Sequence, residues 1–571
     1  MHRGRVLWKR LGLSATVNNY MARLIGVVIA VLFIVPLLIG FVGSVLPAVG
    51  WLPQFAPGNG WQDLVTDPRF WPSIFLSLKT GVLSTVFVLV VTLLSLVCAH
   101  GTRLWRWLMA FLPPLLAVPH AAMAVGLVFL VSPSGWLVRL ISPGISGLER
   151  PPTAWVVPDS GGWTLIFGLV IKEAPFLLLA AAAQLSTMNV SLSLRIGRTL
   201  GYSSSRCWRR LILPQLYERS RLTLFIILAF NLSVVDMAIV LGPGNPPTFA
   251  VFLLSLVNEP ESRAAASVGA LLLAVGVVAA IGLVLLAEKL IGFGAAYRRE
   301  SGHRGKTMKP LRHLGQIVVG SLLALSVGAM VMLLLWSVAR RWRFPDALPS
   351  QWTVDNWLSR SDLLFSPLMC TLIFAVFVVI VATTTAIAWL ECERTNKVPK
   401  LDWLWYVPLL IPQVTLLFGW QAAALLLRID GQWLTVAYAH WVYTLPYVIL
   451  ILAVAWREFD PNWSHAAAIL GASYWRILWR VRLPLLIKPV AQAAAVALAV
   501  SVAQYLPTLL LGAGRHQTLS IELVTSFGGV DRRVIATLAA LQSVLPLLAF
   551  IAALGLPRLI SPIRKESDAV T

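Results

Sequence analysis

The sequence predicts an all-α polytopic membrane protein with about twelve transmembrane helices arranged as two parallel six-helix repeats. The first observation is composition: the 571 residues are 58% hydrophobic and only 12% charged, with a mean hydropathy of +0.80. Soluble domains carry roughly 25% charged residues. The other two observations are long apolar runs and motifs that recur in the second half. This composition excludes a soluble globular protein, a disordered chain and a disulfide-rich secreted module.

Each apolar run is long enough to cross about 30 Å of hydrocarbon as an α-helix. The twelve runs lie near 24–46, 75–99, 108–131, 164–185, 222–241, 265–288, 314–338, 368–390, 402–427, 433–456, 490–511 and 534–560. The first run is too long for a signal peptide, and Pro47 and Pro53 follow it in place of a small-residue cleavage site. We therefore expect it to be retained as a helix.

The formal net charge of +22 is concentrated in loops on one side of the predicted membrane. With the N-terminus inside, most of the 46 Lys and Arg residues fall in cytoplasmic segments, as the positive-inside rule requires. Because these residues are scattered among short loops, they do not indicate nucleic-acid binding. We expect both termini in the cytoplasm and the many tryptophans near span ends in contact with membrane lipids.

Motifs of the first half recur 270 or 271 residues later. The matched pairs are Ala174-Pro175-Phe176-Leu177 with Leu445-Pro446-Tyr447-Val448, Leu200-Gly201-Tyr202 with Leu470-Gly471-Ala472, Leu213-Pro214 with Leu483-Pro484, and Leu241-Gly242-Pro243-Gly244 with Leu511-Gly512-Ala513-Gly514. We expect a first repeat over 1–290, a basic cytoplasmic linker over 291–313 and a second repeat over 314–571. Because each repeat has six spans, both enter the membrane in the same direction.

Two long cytoplasmic loops, 186–221 and 457–489, share a pattern of helix, glycine, short helix and proline. Thirteen residues separate Gly201 from Pro214, and the same number separate Gly471 from Pro484. Glycine allows one helix to turn into the next, and proline is expected to end the short helix. The pattern predicts a short surface helix in each loop, at roughly 199–210 and 469–480, of the kind that fits a partner's groove. A helix that only rests on lipid headgroups is the alternative.

This pattern resembles the ATPase-docking loop of ABC importer permeases of the type I fold, which reads Glu-Ala-Ala, three residues, Gly, about nine residues, then Ile-x-Leu-Pro. The doubled loop is similar to that of the fused, tandem permeases of thiamine and ferric-iron importers. The stretches Ser233–Asp236, Leu241–Thr248 and Gln504–Thr508 look closest to the YnjC-type permeases. The resemblance covers essentially the whole chain.

The resemblance implies the permease subunit of a binding-protein-dependent importer in a bacterial inner membrane. It would move a small solute, such as thiamine, ferric iron or another small molecule, into the cytoplasm by alternating access. A homodimeric ATP-binding subunit would use ATP and Mg, and a periplasmic solute-binding protein would deliver the solute. The chain itself would then bind no cofactor and would not be an enzyme. The implied ATPase-coupling residues are Leu200, Gly201, Tyr202, Arg206, Leu213, Pro214, His465, Ala466, Ala467, Gly471, Ala472, Arg476, Leu483 and Pro484.

The chain departs from the family pattern at the glutamate. Arg195 stands there in the first loop and His465 in the second, and Ile196-Gly197 replaces the small-residue pair. A different motif, Gly302–Thr307, superficially resembles a phosphate-binding loop. Glu300 stands where such a loop needs its first glycine, so we expect no nucleotide site there.

Ionisable residues inside spans cost roughly 2.5–3.5 kcal/mol on insertion scales and are functional candidates. The candidate pathway or gate residues are Lys172, Glu173, Asp236, His120, Gln413, Gln504 and Tyr505, with His440 as a further polar residue in a span. We expect Lys172 and Asp236 to approach each other, either as a structural ion pair or with a substrate or gate role. Their second-half equivalents are Tyr443 and Leu506, so the one-sided lysine hints at an anionic or zwitterionic cargo.

The four Cys and eight His residues show no metal-ligand spacing, so no metal site is predicted. One alternative function stays open, an ion-coupled secondary transporter with two parallel six-helix halves. Such a transporter would not need two matched cytoplasmic loops.

Overall fold

The computed structural model describes residues 2–52, 58–153, 156–299, 309–358, 361–395, 398–529 and 531–560. Nearly all of this part is helical, with a short antiparallel ribbon of β1 (Ala339–Arg341) and β2 (Gln351–Trp352). The middle of the predicted linker, 300–308, lies outside the described residues, and so does the excluded phosphate-loop motif within it.

We call the chain before residue 300 the first half and the chain after residue 308 the second half. The first-half helices are α1 (His2–Ala48), α2 (Gly60–Thr66), α3 (Phe70–Leu94), α4 (Arg103–Ala117), α5 (His120–Val131), α6 (Trp136–Ile141), α7 (Trp163–Ser186), α8 (Val190–Thr199), α9 (Ser204–Cys207), α10 (Leu213–Ser233), α11 (Asp236–Leu241), α12 (Phe249–Val257) and α13 (Arg263–Arg299). π-Helical turns cover Ser95–Ala99 and Trp208–Ile212, and a 3₁₀ turn covers Pro260–Ser262.

The second half has a similar series of elements. Its helices are α14 (Lys309–Ser337), α15 (Asp355–Leu358), α16 (Ser361–Arg394), α17 (Asp402–Leu410), α18 (Gln413–Leu426), α19 (Trp433–Arg457), α20 (Pro461–Ile469), α21 (Tyr474–Ile477), α22 (Leu483–Leu485), α23 (Ile487–Ala503), α24 (Leu506–Gly512), α25 (Leu519–Ser526) and α26 (Arg532–Ile560). A π-helical turn covers Leu478–Arg482.

Among the described residues, nine helices are long and apolar enough to cross a membrane. They are Ala22–Ala48, Phe70–Ala99, His120–Ile141, Trp163–Ser186, Pro260–Gly292, Arg312–Ser337, Leu363–Arg394, Trp433–Arg457 and Arg532–Gly555. Two further pairs qualify only when joined, α17 with α18 at a bend of 88° and Tyr474–Leu485 with α23 at 78°. Each pair taken as one crossing brings the number to eleven, against the twelve runs of the sequence.

The remaining run, 222–241, takes a different form from the single span we expected. It is divided between α10, which starts well before the run, and the short α11. The first turns of α10 carry Glu218, Arg219 and Arg221, so its apolar part is too short to cross a bilayer unaided.

Four runs that we expected as straight helices are broken. The breaks fall at Val118-Pro119, Val234-Val235, Ile411-Pro412 and Gln504-Tyr505. Two of them contain a proline, which lacks an N–H and keeps the preceding residue out of the helical conformation. Each break leaves backbone N–H and C=O groups that need partners, and lipid cannot supply them. The breaks therefore predict where polar side chains must lie.

The first helix of each half packs against the other half. α1 crosses α18 so closely that a Cβ atom on Gly419 would overlap the Gly40 carbonyl. α14 crosses α5 in the equivalent way, and a Cβ atom on Gly126 would lie 2.6 Å from the Ala329 carbonyl oxygen. Small residues permit such close helix packing in membranes. The exchange of first helices joins the halves into one packed unit.

A pair of matched hydrogen bonds supports the equivalence of the two halves. The Phe249 N–H, at the start of α12, donates to Ser77 Oγ on α3 at 2.7 Å. The Leu519 N–H, at the start of α25, donates to Thr371 Oγ1 on α16 at 2.8 Å. Each hydroxyl satisfies a helix N-terminal donor that has no partner within its own helix. The same contact therefore fixes the same helix start in both halves.

Candidate functional site

The two long loops, which we call loop one (186–221) and loop two (457–489), have the same backbone geometry at their glycine turns. In loop one the Gly201 N–H donates to the Arg198 carbonyl at 2.9 Å, and the Tyr202 N–H donates to the Gly197 carbonyl at 3.0 Å. In loop two the Gly471 N–H donates to Ala468 at 3.0 Å, and the Ala472 N–H donates to Ala467 at 3.0 Å. These bonds close the C-termini of α8 and α20 in the manner of a Schellman motif.

The turn between the two helices of each loop depends on glycine. Gly201 has a φ of 81° and Gly471 a φ of 82°, in the left-handed region that other L-residues reach only at a cost. A short helix follows, α9 in loop one and α21 in loop two, and each runs into a five-residue π-helical turn. The predicted order of helix, glycine and short helix is therefore present in both loops, but the short helices begin at Ser204 and Tyr474 and not near 199 and 469, since those positions end α8 and α20.

The prediction that proline ends the short helix was wrong. Pro214 lies in the first turn of α10, and Pro484 lies in the first turn of α22. Proline is well tolerated there because the N–H groups of a first turn have no partner within the helix. The short helix instead passes through the π-helical turn into the next element.

The coupling residues implied by the resemblance occupy equivalent places in the two loops. His465, Ala466 and Ala467 lie in α20, Arg206 lies in α9, and Arg476 lies in α21. Leu213 and Leu483 begin α10 and α22. The Arg210 guanidinium lies 5.9 Å from the centre of the Tyr202 ring.

The tips of both loops expose apolar side chains. Leu200 is 59% exposed in loop one, whereas Ile469 and Leu470 are 86% and 87% exposed in loop two. Trp475 and Trp479 are also largely exposed in loop two, where loop one has Ser205 and Arg209. Exposed apolar groups of this size mark surfaces that other molecules cover, and loop two presents the larger one.

The interior polar residues lie at or beside the helix breaks. His120 and Gln413 begin α5 and α18, and Asp236 begins α11. Gln504 and Tyr505 form the break between α23 and α24, and both are buried. The sequence identified these residues by their polarity; the structure shows that they belong to interrupted helices.

Lys172 satisfies the carbonyl groups at the first break. Its Nζ donates to the carbonyls of Leu115, Leu116 and Val118 at 3.3, 3.2 and 2.5 Å. These carbonyls lie at the C-terminal end of α4, where a cation is favoured by the helix dipole. Asp236 is within electrostatic range of the Lys172 ammonium, but the ion pairs formed by the described residues do not include this pair.

Glu173 and His120 form a direct hydrogen-bonding contact in this region. The His120 Nε2 and the Glu173 Oε1 are 3.0 Å apart, and the imidazole lies 4.7 Å from the Phe230 ring. Asp236 accepts a 2.9 Å hydrogen bond from the Met237 N–H and lies within electrostatic range of His120. Two carboxylates, an imidazole and an ammonium group therefore meet inside the first half.

The second half contributes neutral groups. Tyr505 and Tyr447 lie within electrostatic range of Asp236 and Glu173, respectively. His440 is fully enclosed and contacts the Ser501 and Thr508 hydroxyls at 3.1 and 2.8 Å. Tyr505 and Tyr447 of the second half therefore lie beside the charged cluster of the first half.

Within the part of the chain that the structure describes, no three His, Cys, Asp or Glu side chains are grouped as metal ligands. The sequence reasoning also missed a buried ionic network around Glu391 and Arg482. The signal available for it was Glu391-Cys392-Glu393 at the end of an apolar run, together with Arg482 between apolar residues.

Comparison with known proteins decides the family. The chain matches no established family model. It is 32% identical over 497 residues, 86% of this chain and 89% of its relative, to the inner membrane ABC transporter permease protein YnjC of Escherichia coli strain K12. The chain belongs to the ABC transporter permeases.

The predicted all-α polytopic fold is confirmed for this permease, since the described residues are almost wholly helical and include the nine to eleven candidate crossings. The recognition of an ABC transporter permease is confirmed as well. The type I fold and the likeness to thiamine or ferric-iron permeases stay predictions, as do the repeat boundaries and the individual coupling residues.

Proposed function

We propose that this chain is the membrane-spanning subunit of a binding-protein-dependent ABC importer in a bacterial inner membrane. In this proposal loop one and loop two lie in the cytoplasm with both termini and dock on a homodimeric ATP-binding subunit. A periplasmic solute-binding protein delivers a small solute, which crosses by alternating access between the halves. The chain hydrolyses no ATP itself.

One observation carries this proposal, the matching glycine turn and short helix of the two loops together with their exposed apolar tips. Two equivalent surfaces on one chain suit a partner that itself has two-fold symmetry. A short helix presented beyond a membrane domain is a common element for docking in a groove. The 32% identity to a protein named as an inner membrane ABC transporter permease supports the same assignment.

The experiment that tests this proposal is purification of the tagged permease in mild detergent from its native host, followed by intact-complex mass determination. We expect two copies of an ATP-binding subunit per chain. The doubly substituted Gly201→Val/Gly471→Val permease should lose both copies, because valine disfavours the positive φ of each turn. Gly282→Ala is the matched control, since a Cβ atom on Gly282 would meet nothing within 4 Å.

The ion-coupled alternative predicts a different energy source. For the importer, uptake into cells should stop when ATP is depleted and should persist when the proton gradient is dissipated. The reverse result, or a chain that carries no ATPase even after crosslinking at Tyr202 or Ala472, would favour the secondary transporter.

For the transport path, we propose the region where His120 and Asp236 face Tyr505 and Tyr447. His120 and Asp236 are both partly exposed, whereas Lys172 is buried and bonded to three carbonyls. The lysine is therefore committed to the helix break and does not support an anionic cargo. Asp236→Asn should reduce uptake while leaving the amount of folded permease unchanged; unchanged uptake would place the path elsewhere.

A further inference from the structure

A buried carboxylate ties loop two to the membrane helices. Glu391, near the end of α16, is 5% exposed. It forms an ion pair with Arg482 and accepts hydrogen bonds from Trp456 Nε1 at 3.0 Å and Tyr474 Oη at 2.8 Å. Arg394 contacts the same carboxylate at 3.2 Å. One side chain thus receives donors from α16, α19 and loop two.

Arg482 extends this network deeper into loop two. Its guanidinium is 2% exposed and also donates to Ser464 Oγ on α20 at 3.1 Å. It lies 5.7 Å from the centre of the Phe459 ring, at the start of the loop. α21 and the π-helical turn are therefore bonded directly to Glu391 on α16, and α20 is connected to it through Arg482.

Loop one has no such network at the equivalent positions. Cys98 and Cys392 are 294 residues apart, like the matched Ser77 and Thr371, and this spacing places Val97 opposite Glu391. The 270-residue spacing of the loops places Ile212 opposite Arg482. Val97 and Ile212 belong to an apolar cluster that includes Leu96, Ala99, Leu185 and Trp208.

Stability alone does not account for this difference. A well-packed apolar pair is often as stable as a buried ion pair, because both charges must be removed from water. A charged network is directional, whereas apolar packing is not. Each of its hydrogen bonds weakens steeply when the angle or distance changes. The network therefore fixes the orientation of loop two on α16 and α19 more strictly than the apolar packing at Val97 and Ile212 would.

The helix that holds Trp456 also reaches the proposed path. α19 is continuous from Trp433 to Arg457 and carries His440 and Tyr447. Tyr447 precedes Trp456 by nine residues, about 14 Å along an α-helix. Because a helix is stiff over this length, a displacement of loop two that pulls on Trp456 also moves Tyr447 opposite Glu173.

We propose that Glu391 and Arg482 are positioning residues that transmit movement of loop two to α16 and α19, and hence to the second-half wall of the path. The inference rests on the proposed function, since it assumes that an ATPase moves loop two. At the equivalent positions loop one has apolar packing, and its polar contact to the membrane helices is made elsewhere, by Tyr217 and Arg221 with Glu288 on α13. The two loops are therefore attached to different helices by different contacts.

The test uses the complete complex of permease, ATPase and binding protein in lipid vesicles. Glu391→Val/Arg482→Ile replaces both residues with those at the equivalent positions of the first half, Val97 and Ile212. It leaves no unpaired buried charge. We expect it to retain the ATPase and to hydrolyse ATP, while solute transported per ATP falls on the order of ten-fold, within the usual range of coupling between sites. Val97→Leu/Ile212→Leu, which changes only apolar packing in loop one, should leave this ratio unchanged.

Two further variants keep the test decisive if the double variant does not fold. Tyr474→Phe removes one donor to Glu391, and Glu391→Gln removes its charge but keeps an acceptor; each should lower the transport-to-ATP ratio less than the double variant. An unchanged ratio in folded variants would overturn the inference. If the unsubstituted permease binds no ATPase, the proposed function fails instead, so the two failures are distinguishable.

Discussion

Loop one and loop two share the same glycine turn but are attached to the membrane helices by different contacts. Their turns match in hydrogen bonding and in the φ of Gly201 and Gly471. Around Trp208 and Ile212 loop one is held by apolar packing, and its polar contact is at Glu288 on α13, whereas loop two is held by the buried ionic network of Glu391 and Arg482. The same turn geometry can therefore be held in place by different side-chain contacts, apolar around Ile212 in one loop and ionic around Arg482 in the other.

The helix breaks show the same divergence. In the first half a lysine satisfies the carbonyls at the end of α4. The equivalent residue of the second half is Tyr443, whose hydroxyl is buried and finds no hydrogen-bond partner among the described residues. The first half thus has a lysine ammonium at this position and the second half has a tyrosine ring. Both halves nevertheless contain a proline at the corresponding helix break.

The largest effect is expected where the exchanged helices cross. Gly419→Ala should destabilise the permease by more than about 3 kcal/mol, the upper range for overpacking, because backbone atoms of α1 cannot rotate away. Gly126→Ala should cost less, since its Cβ atom would lie 2.6 Å from a carbonyl oxygen, and Gly282→Ala should cost nothing. Thermal unfolding in detergent would rank the three; equal values would mean that the crossings do not bear on stability.

The next effect concerns the helix breaks. Lys172→Met should destabilise the permease by on the order of 3 kcal/mol, because it leaves the carbonyls at the end of α4 without their charged donor. Tyr443→Phe should leave the unfolding temperature unchanged, since the hydroxyl that it removes makes no hydrogen bond within the described residues. A stable Lys172→Met permease with altered solute preference would instead assign the lysine to the cargo.

A smaller effect should separate the loop tips. Leu470→Ser should weaken binding of the ATP-binding subunit by about 1.5–2 kcal/mol, close to the value for burying one leucine. Leu200→Ser should weaken it less, because Leu200 is 59% exposed before docking and Leu470 is 87% exposed. Titration of the purified ATPase against each permease in nanodiscs measures both. An equal loss at the two tips would show that docking does not distinguish them.

The smallest effect tests a place where the halves have kept the same chemistry. Ser77→Ala and Thr371→Val each remove the hydroxyl that accepts a helix N-terminal N–H, and valine keeps the buried methyl group of Thr371. We expect each to cost about 1 kcal/mol, the usual value for such a contact. Unfolding temperatures of the two variants should fall by the same amount, and a clear inequality would weaken the equivalence of α3 and α16.

Sequence reasoning succeeded where the signal is periodic or repeated. The apolar runs predicted the helical membrane fold, and the glycine positions Gly201 and Gly471 predicted the two turns. It failed at the breaks near Pro119 and Pro412, because hydropathy over a window does not register a bend between two apolar helices. The prolines themselves were the sequence signal that could have predicted these two helix breaks.

Pairings between distant residues were also beyond the sequence. The charges of Lys172 and Asp236 inside their spans suggested that the two approach each other, as an ion pair or with a substrate or gate role. The lysine instead donates to three carbonyls at the end of another helix. Glu391 and Arg482 are separated by 91 residues, and no local pattern indicates that they meet. Such contacts depend on how helices cross, which a single sequence does not encode locally.

The exchange of first helices has a consequence for the order of synthesis. Trp420 on α18 donates to the Pro36 carbonyl on α1, across 384 residues of chain. At about 5–20 residues per second, α18 leaves the ribosome tens of seconds after α1. During that interval the close-packing surface around Gly40 faces lipid or the insertion machinery in place of α18. A nascent chain arrested before residue 413 therefore has α1 inserted but lacks α18, the helix against which α1 packs.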